Sequence, residues 1–173
     1  GPVYIDHLRE RGGWSAVANV YNRPPSSTEQ TIHLTDTVPS SLTVDDTATD
    51  GWQRFDRYGD GGTETVGEAA IYAMFWYQSR HFDAPIVEWR SVRNVSSPLD
   101  VYDYRSRPST GWANDRLIPY RRGDGSNASY GYVWVSVWDS KADARELPPP
   151  RHHGWLRGRR VSRALGSDRP PWA

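Results

Sequence analysis

The chain has 173 residues, a formal net charge of zero and no cysteine. The absence of cysteine excludes disulfides, thiolate metal sites and cysteine nucleophiles. The length suffices for one domain with a substantial core. The longest apolar run, 69–77, is shorter than the ~20 residues that cross a bilayer, so we expect no membrane insertion.

The zero net charge hides an uneven distribution along the chain. Residues 151–173 contain six arginines and one acid, so they carry +5 and the remainder carries −5. From residue 147 onward the sequence is rich in Pro and Arg. We therefore predict a β-rich domain over 1–146 and an extended or disordered tail over 147–173. Arginines of the tail could contact phosphates, whereas nucleic acid is not an expected partner of the β domain.

The secondary-structure pattern is typical of an all-β protein. One helical turn is expected over 6–11, and Gly12 and Gly13 would end it. Later, short β-branched or aromatic runs alternate with clusters of Pro, Gly, Asp, Asn and Ser. The predicted strands are 14–21, 30–36, 41–45, 51–58, 68–78, 86–94, 101–104, 117–121 and 130–138. Nine strands predict a twisted antiparallel β-barrel or sandwich with long loops.

The sequence offers no complete catalytic or metal-binding set. Asp56, Asp60 and Gly61 match the start of a calcium loop, but Gly67 stands where the closing carboxylate is needed. The adjacent pair His152-His153 lacks a third and a fourth ligand for zinc. We therefore expect no catalytic residue, metal or cofactor and no enzyme activity, although a carboxylate pair for glycosidic cleavage stays open because its spacing is spatial.

Two short motifs have both a functional and a structural interpretation. Arg122, Gly123 and Asp124 form a possible cell-adhesion triplet, but Gly-rich segments of this kind mainly reverse the chain between strands. Asn94 and Asn127 each begin an Asn-x-Ser triplet and are candidate glycosylation sites if the chain enters a secretory compartment.

Aromatic residues are the strongest anomaly in the composition. Nine tryptophans and ten tyrosines exceed what one core of this size needs. Tyr, Trp and Arg are enriched at association hot spots, and aromatic rings also stack on sugars. The tryptophans expected in the core are Trp14, Trp52, Trp76 and Trp89, and the aromatics expected in loops are Tyr58, Trp112, Trp155 and Trp172.

The predicted last strand has two apolar faces. One face carries Val133, Val135 and Val137 and is suited to the domain's own core. The other face could meet a second layer, a sugar or another copy of the chain. We predict that it forms a homodimer interface. This face comprises Tyr130, Tyr132, Trp134, Ser136 and Trp138.

Six segments of residues 8–140 follow one another in a characteristic order: “LRERGGWSAVANVY”, “TIHLTDTV”, “GWQRFDRYGDGG”, “YAMFWYQSRHFDAPIVEWRS”, “VYDYRSRPSTGWANDRLIPYRRGDG” and “YGYVWVSVWDS”. The order of these landmarks resembles the protruding domain of hepevirus capsid proteins; it suggests the avian branch, and the astrovirus capsid spike is a near alternative. They match the family in spacing and residue type rather than in runs of identity, and nothing transfers to 147–173.

The resemblance implies a dimeric all-β spike on the virion surface that attaches to a host receptor, either protein or glycan, and carries neutralising epitopes. The loop residues it assigns to receptor or antibody contact are Tyr102, Tyr104, Arg105, Arg107, Trp112, Asn114, Arg122 and Asp124. The main alternative is a carbohydrate-binding, lectin-like β-sandwich with exposed Trp and Tyr. A structural or decoration protein of another particle is a third possibility.

Overall fold

A computed structural model of the chain describes residues 1–55, 62–82 and 84–147, and the backbone of 159–164. Within these residues the chain forms four α-helices, four strands and two 3₁₀ helices. The helices are α1 (Pro2–Asn22), α2 (Thr28–His33), α3 (Gly67–His81) and α4 (Lys141–Glu146). The strands are β1 (Trp52–Arg54), β2 (Trp112–Arg122), β3 (Ser129–Trp138) and β4 (Arg159–Ala164), and the 3₁₀ helices are Trp89–Arg93 and Gly125–Asn127.

The protein is therefore mixed α/β, and the prediction of an all-β barrel or sandwich of about nine strands is wrong. The predicted strands 14–21 and 68–78 lie in α1 and α3, and 30–36 overlaps α2. The predicted strand 86–94 contains a 3₁₀ helix. Within the described residues, only the predictions at 51–58, 117–121 and 130–138 overlap observed strands, and residues 56–58 of the first lie outside the described part of the chain. None of the helices in the described part of the chain is both long and apolar enough to cross a membrane.

Helix α3 shows why the β prediction failed. Its aromatic run favours strand locally, but its buried residues recur with a helical period. Glu68, Ile71, Tyr72 and Phe75 are buried, a spacing of three, one and three residues that places them on one face of a helix. Packing of this single face outweighs the strand preference of the aromatics.

Helix α1 is interrupted where the sequence predicted a stop. Gly12 and Gly13 have non-helical backbone angles, and Gly13 has a positive φ of 66° that favours glycine. The helix resumes beyond this kink and continues to Asn22. Trp14, expected in the core, follows the kink directly and is 72% exposed.

The chain folds as two compact units. Unit 1 comprises Gly1–Pro39 and Gly67–Thr110, and unit 2 comprises Ser40–Val66 and Gly111–Ala173. Unit 1 is helical: α2 packs on α3, and so does the 3₁₀ helix Trp89–Arg93. The indole Nε1 of Trp76 donates to the carbonyl of Trp89 at 2.9 Å, which joins these last two elements.

Unit 2 is built on one open sheet with the order β1-β2-β3-β4. The first three strands are antiparallel neighbours, and β4 pairs with β3 in parallel. The long β2–β3 hairpin runs from the pair Trp112–Trp138 to the pair Arg122–Ser129. Strand β4 falls within the predicted tail 147–173, whose other residues after Leu147 lie outside the described part of the chain.

A buried carboxylate organises the core of unit 2. Asp115 on β2 is 0% exposed, as is Trp138, and Trp112 is 1% exposed. The indole Nε1 of Trp112 donates to Asp115 Oδ2 at 2.8 Å, and the amide of Val66 donates to Asp115 Oδ1 at 2.6 Å. Because a buried charge is costly unless it is hydrogen-bonded, these donors fix the segment before α3 against the sheet.

We expect Asp115→Ala to lower the free energy of unfolding by about 3 kcal/mol, because the indole and amide donors would remain buried without their acceptor. Chemical denaturation followed by tryptophan fluorescence would measure this loss.

The control is Asp124→Ala in the same unit, since the side chain of Asp124 is 87% exposed and its pairing with Arg121 is a surface interaction. We expect this variant to lose less than about 1 kcal/mol. Equal losses in the two variants would contradict the role assigned to Asp115.

Candidate functional site

Unit 1 contains a cavity of about 300 Å³, at the lower end of the volumes of small-ligand pockets. The first turn of α1, helix α2, the first turn of α3 and the segment 100–105 line it. We call it the tyrosine groove. The side chains that define it are Tyr4, Thr28, Thr31, Tyr102, Tyr104 and Arg105.

One wall of the tyrosine groove is a series of aromatic rings that leads from the core to the surface. Tyr72 on α3 is buried, at 1% exposure, and its ring meets that of Tyr104 edge to face at 5.6 Å. Tyr104 in turn meets Tyr102 edge to face at 6.5 Å. Tyr104 and Tyr102 are 39% and 50% exposed. The buried ring therefore supports two rings that a ligand can reach.

Backbone hydrogen bonds hold this wall in place. The amide of Asp103 donates to the carbonyl of Val92 at 2.8 Å. The amide of Arg105 donates to the carboxylate of Asp103 at 2.9 Å and closes a local turn. Asp103, which lies between Tyr102 and Tyr104, is thus held through both its backbone amide and its side chain.

The opposite wall is polar and comes from α2. Ser27 caps the helix, since its hydroxyl accepts from the amide of Gln30 at 3.4 Å. The hydroxyl of Thr28 accepts from the amide of Ala69 at 3.1 Å and ties α2 to the start of α3. The guanidinium of Arg105 donates to the carbonyl of Ile32 at 3.3 Å and ties α2 to the aromatic wall.

A buried ion pair lies behind these walls, where α2 meets α3. Nε2 of His33 is 2.9 and 3.0 Å from the two carboxylate oxygens of Glu68. The side chain of Glu68 is 0% exposed and that of His33 is 27% exposed. Glu68 stands in the first turn of α3, where the helix macrodipole favours a negative charge.

The environment of His33 favours its protonated form. The hydrogen bond to Glu68 raises the pKa of His33 above its ordinary 6.5, and the charges of Glu68 and Glu29 act in the same direction. Burial and the charge of Arg105 oppose this rise in pKa. At pH values below this raised pKa, the pair is therefore a charged bridge between the two helices.

The pair resembles the His-carboxylate part of acid–base sites. Among the residues that the structure describes, no group of three or more His, Cys, Asp or Glu side chains is placed to hold a metal ion. We interpret His33 and Glu68 as the element that fixes α2 on α3. The absence of enzyme activity stays a prediction.

A family model titled “Domain of unknown function (DUF8575)” matches residues 53–148, more than half of the chain. The chain belongs to the DUF8575 family. No curated protein and no solved structure matches the chain. The match includes α3 and the segment 100–105, hence the aromatic wall of the tyrosine groove, whereas α2 lies before it.

In this DUF8575 protein the residues of the predicted dimer face differ widely in burial. Ser136 and Trp138 are 1% and 0% exposed, because they lie in the core of their own chain. Tyr132 and Trp134 are half-buried, and burial raises the pKa of Tyr132. Tyr130 is 64% exposed. Dimerisation stays a prediction, and Tyr130 is the member of this face that a partner could reach most easily.

The valines of the predicted core face of β3 also differ in how far they are buried. Val137 is 3% exposed, whereas Val133 and Val135 are half-buried. The end of β3 is thus buried on both faces, since Trp138 follows Val137 directly. The alternation of side chains along β3 therefore does not distinguish a face that packs in the core from a face available to a partner.

The predicted receptor and antibody loop residues are divided between the two units. Tyr102, Tyr104 and Arg105 line the tyrosine groove of unit 1, and Arg107 is exposed nearby in the sequence. Trp112 and Asn114 belong to β2 in unit 2 and are buried rather than in a loop. The side-chain amide of Asn114 donates to the carbonyl of Ser40 at 2.5 Å.

The Arg-Gly-Asp triplet forms part of the β2–β3 turn. The guanidinium of Arg122 lies 5.1 Å from the centroid of the Trp52 ring, and Arg121 donates to the carboxylate of Asp124. Gly123 has a φ of +77°, which favours glycine. Both charged groups of the triplet thus have partners within unit 2, Arg122 with Trp52 on β1 and Asp124 with Arg121 on β2, which supports its structural interpretation.

The other sequence candidates are placed as follows. Asn94 and Asn127 are exposed, and each lies at the end of a 3₁₀ helix. Trp52, Trp76 and Trp89, expected in the core, are half-buried. The calcium-like residues Asp56, Asp60 and Gly61, the pair His152-His153, and Tyr58, Trp155 and Trp172 lie outside the described residues.

Sequence reasoning missed Glu68, Tyr72 and His33, although two signals were present. Ser27 followed by Gln30 is the start signal of a capped helix. The helical spacing of Glu68 and Tyr72 indicated a common face of α3. The contact between His33 and Glu68 spans 35 residues and has no local signature.

The bridge between His33 and Glu68 should make stability depend on pH. Because the folded pKa of His33 is raised, its stabilising contribution is complete below the unfolded value of 6.5 and is lost as the pH rises through the folded value. We expect His33→Gln to be less stable than the wild type at about pH 6. We expect this difference in the free energy of unfolding to be smaller at about pH 9. Chemical denaturation at both pH values measures this.

The control for loss of an imidazole is His81→Gln, because the His81 side chain lies at the surface. This variant should retain the wild-type dependence of stability on pH. A constant deficit of His33→Gln at both pH values would contradict the charged bridge.

Proposed function

We propose that this chain is a saccharide-binding module whose ligand lies in the tyrosine groove. A pyranose ring has an apolar face of C–H groups and an edge of hydroxyls. Exposed aromatic rings can stack on the C–H face, and hydroxyl, carboxylate and guanidinium groups can hydrogen-bond to the hydroxyls. The observation that carries the proposal is the support of Tyr104 and Tyr102 by the buried ring of Tyr72 along one wall of the cavity.

The polar groups of the groove have the chemistry that sugar hydroxyls require. Thr28 and Thr31 line the cavity from α2, and Asp100 and Arg105 line it from the opposite segment. The carboxylate of Asp100 can only accept and the guanidinium of Arg105 can only donate, so the groove offers both partners that a hydroxyl can use.

The groove is also arranged before a ligand arrives. Thr28 and Arg105 make hydrogen bonds that connect α2 to α3 and to the segment 100–105, and the amide of Asp103 bonds to the carbonyl of Val92 behind that segment. Fixing a binding site in advance lowers the entropic cost of association. A cavity of about 300 Å³ suits a small ligand such as one or two sugar rings.

The capsid-spike interpretation stays a prediction. The resemblance to hepevirus capsids implied an all-β spike, and the mixed α/β fold does not support that interpretation. The proposed saccharide site keeps one element of it, since a glycan was among the expected receptors. It also agrees with the lectin-like alternative in its use of exposed Tyr side chains, although the fold is not a β-sandwich.

We expect a glycan array to identify a ligand, and calorimetric titration to show that Tyr102→Ala and Tyr104→Ala each weaken its binding at least tenfold, about 1.4 kcal/mol. The reason is the loss of the ring on which the sugar stacks.

The matched control is Tyr21→Ala in the same unit, since Tyr21 is 91% exposed and does not line the groove. Its affinity should equal that of the wild type, and circular dichroism checks that each variant is folded. Absence of any glycan ligand, or equal binding by all three variants, would refute the proposal.

A further inference from the structure

A second exposed cluster lies at the end of α3 and in the following 3₁₀ helix. We call it the arginine–aromatic surface and define it by Tyr77, Arg80, Phe82, Trp89 and Arg90. The guanidinium carbons of Arg80 and Arg90 lie 4.9 and 4.2 Å from the centroid of the Trp89 ring. Two cations thus share one indole, and stacking of this kind orients the guanidinium groups.

Two exposed aromatic rings lie close to Arg80 in the sequence, at the end of α3. Tyr77 and Phe82 are 52% and 54% exposed, and their ring centroids are 5.7 Å apart. The ring of His81 lies 4.6 Å from that of Tyr77. The hydrogen bond from Trp76 to the carbonyl of Trp89 holds the two elements together. Neighbouring exposed rings of this size indicate a contact surface.

In the part of the chain that the structure describes, the guanidinium groups of Arg80 and Arg90 make no ion pair and no hydrogen bond, so that within this part they are available to an anion. The carboxylate of Glu88 accepts instead from the backbone amide of Arg90 at 3.1 Å. Arg80 also offsets the macrodipole at the end of α3, which accounts for its position but not for the exposed rings beside it.

We propose that the arginine–aromatic surface binds a polysaccharide that carries uronate carboxylates. A guanidinium stacked on an indole keeps its N–H edge available, and that edge matches the two oxygens of a carboxylate. The rings of Tyr77 and Phe82 offer faces to the apolar side of the sugar. Both chemical parts of an acidic sugar thus find a partner in one cluster.

The charge of the surface favours an acidic sugar over nucleic acid. Proteins that bind nucleic acid electrostatically neutralise several phosphates along an extended basic track. Here Arg80, Arg90 and Arg93 are the basic groups besides His81, and Glu88 lies among them in the sequence. Such a short basic cluster suits isolated carboxylates on a sugar chain.

This site is distinct from the tyrosine groove. Ala69 lines the groove at the start of α3, and Arg80 lies in the last turn of the same helix. At 1.5 Å per residue, these positions are about 17 Å apart along the helix axis. Substitutions at one site can therefore be made without touching the other.

The test is calorimetric titration of the full chain with four probes: an oligogalacturonate, a sulfated dextran oligosaccharide that has no carboxylates, neutral dextran and single-stranded DNA of similar charge. We expect the oligogalacturonate to bind most tightly and more weakly at higher salt. The double variant Arg80→Gln/Arg90→Gln should weaken its binding more than tenfold, and Tyr77→Ala several-fold.

The matched controls separate this site from general charge and from the groove. Arg23→Gln removes an exposed arginine of the same unit, and Tyr102→Ala alters the groove; both should bind oligogalacturonate as the wild type does. If Tyr102→Ala left the binding of a neutral glycan unchanged, this result would contradict the proposed site in the tyrosine groove but not the uronate site.

Several results would overturn the uronate site. These are tightest binding of sulfated dextran or DNA, no binding of any acidic probe, and equal binding of oligogalacturonate by the wild type and the double arginine variant. If Tyr77→Ala bound oligogalacturonate with wild-type affinity, the interaction would depend on charge alone. This result would also overturn the uronate site.

Discussion

Unit 1 depends on the need to pair one buried charge. Glu68 has no exposure to solvent, and a carboxylate in that position requires a partner. His33 supplies it and thereby fixes α2 across α3. Tyr72 follows one turn later on the same face and supports Tyr104. A single face of α3 thus positions both walls of the tyrosine groove.

Unit 2 uses the same principle with different chemistry. Asp115 is also fully buried, and an indole and a backbone amide rather than a cation satisfy it. Because these donors come from Trp112 and Val66, the carboxylate connects the β-hairpin to the chain segment that precedes α3. In each unit a buried acid joins elements that lie far apart in the sequence.

The parts of the fold that follow from local sequence were predictable. The turn around Gly123 and the strand that follows it combine glycine with alternating residues and were predicted correctly, whereas only the second half of the strand before the turn was predicted. The interruption of α1 at Gly12 and Gly13 was likewise predictable. Helix α3 was not, because Phe75, Trp76 and Tyr77 favour strand locally and only packing of the whole face reveals the helix.

The candidate site was partly predicted. Tyr102, Tyr104 and Arg105 were assigned to receptor or antibody contact through the resemblance to hepevirus capsids, and all three line the tyrosine groove. Their role beside α2 depends on contacts across many tens of residues, such as that between Arg105 and Ile32. Trp112 and Asn114 were assigned to a loop because a glycine precedes them, but pairing with β3 draws both into the sheet.

The most direct test of the saccharide-binding account is a nuclear magnetic resonance titration that follows backbone amide shifts as the ligand from the glycan array is added. The account predicts that the largest shifts fall on residues 28–33 and 100–105, the two walls of the groove. Shifts confined to other parts of the chain, or none at saturating ligand, would contradict it.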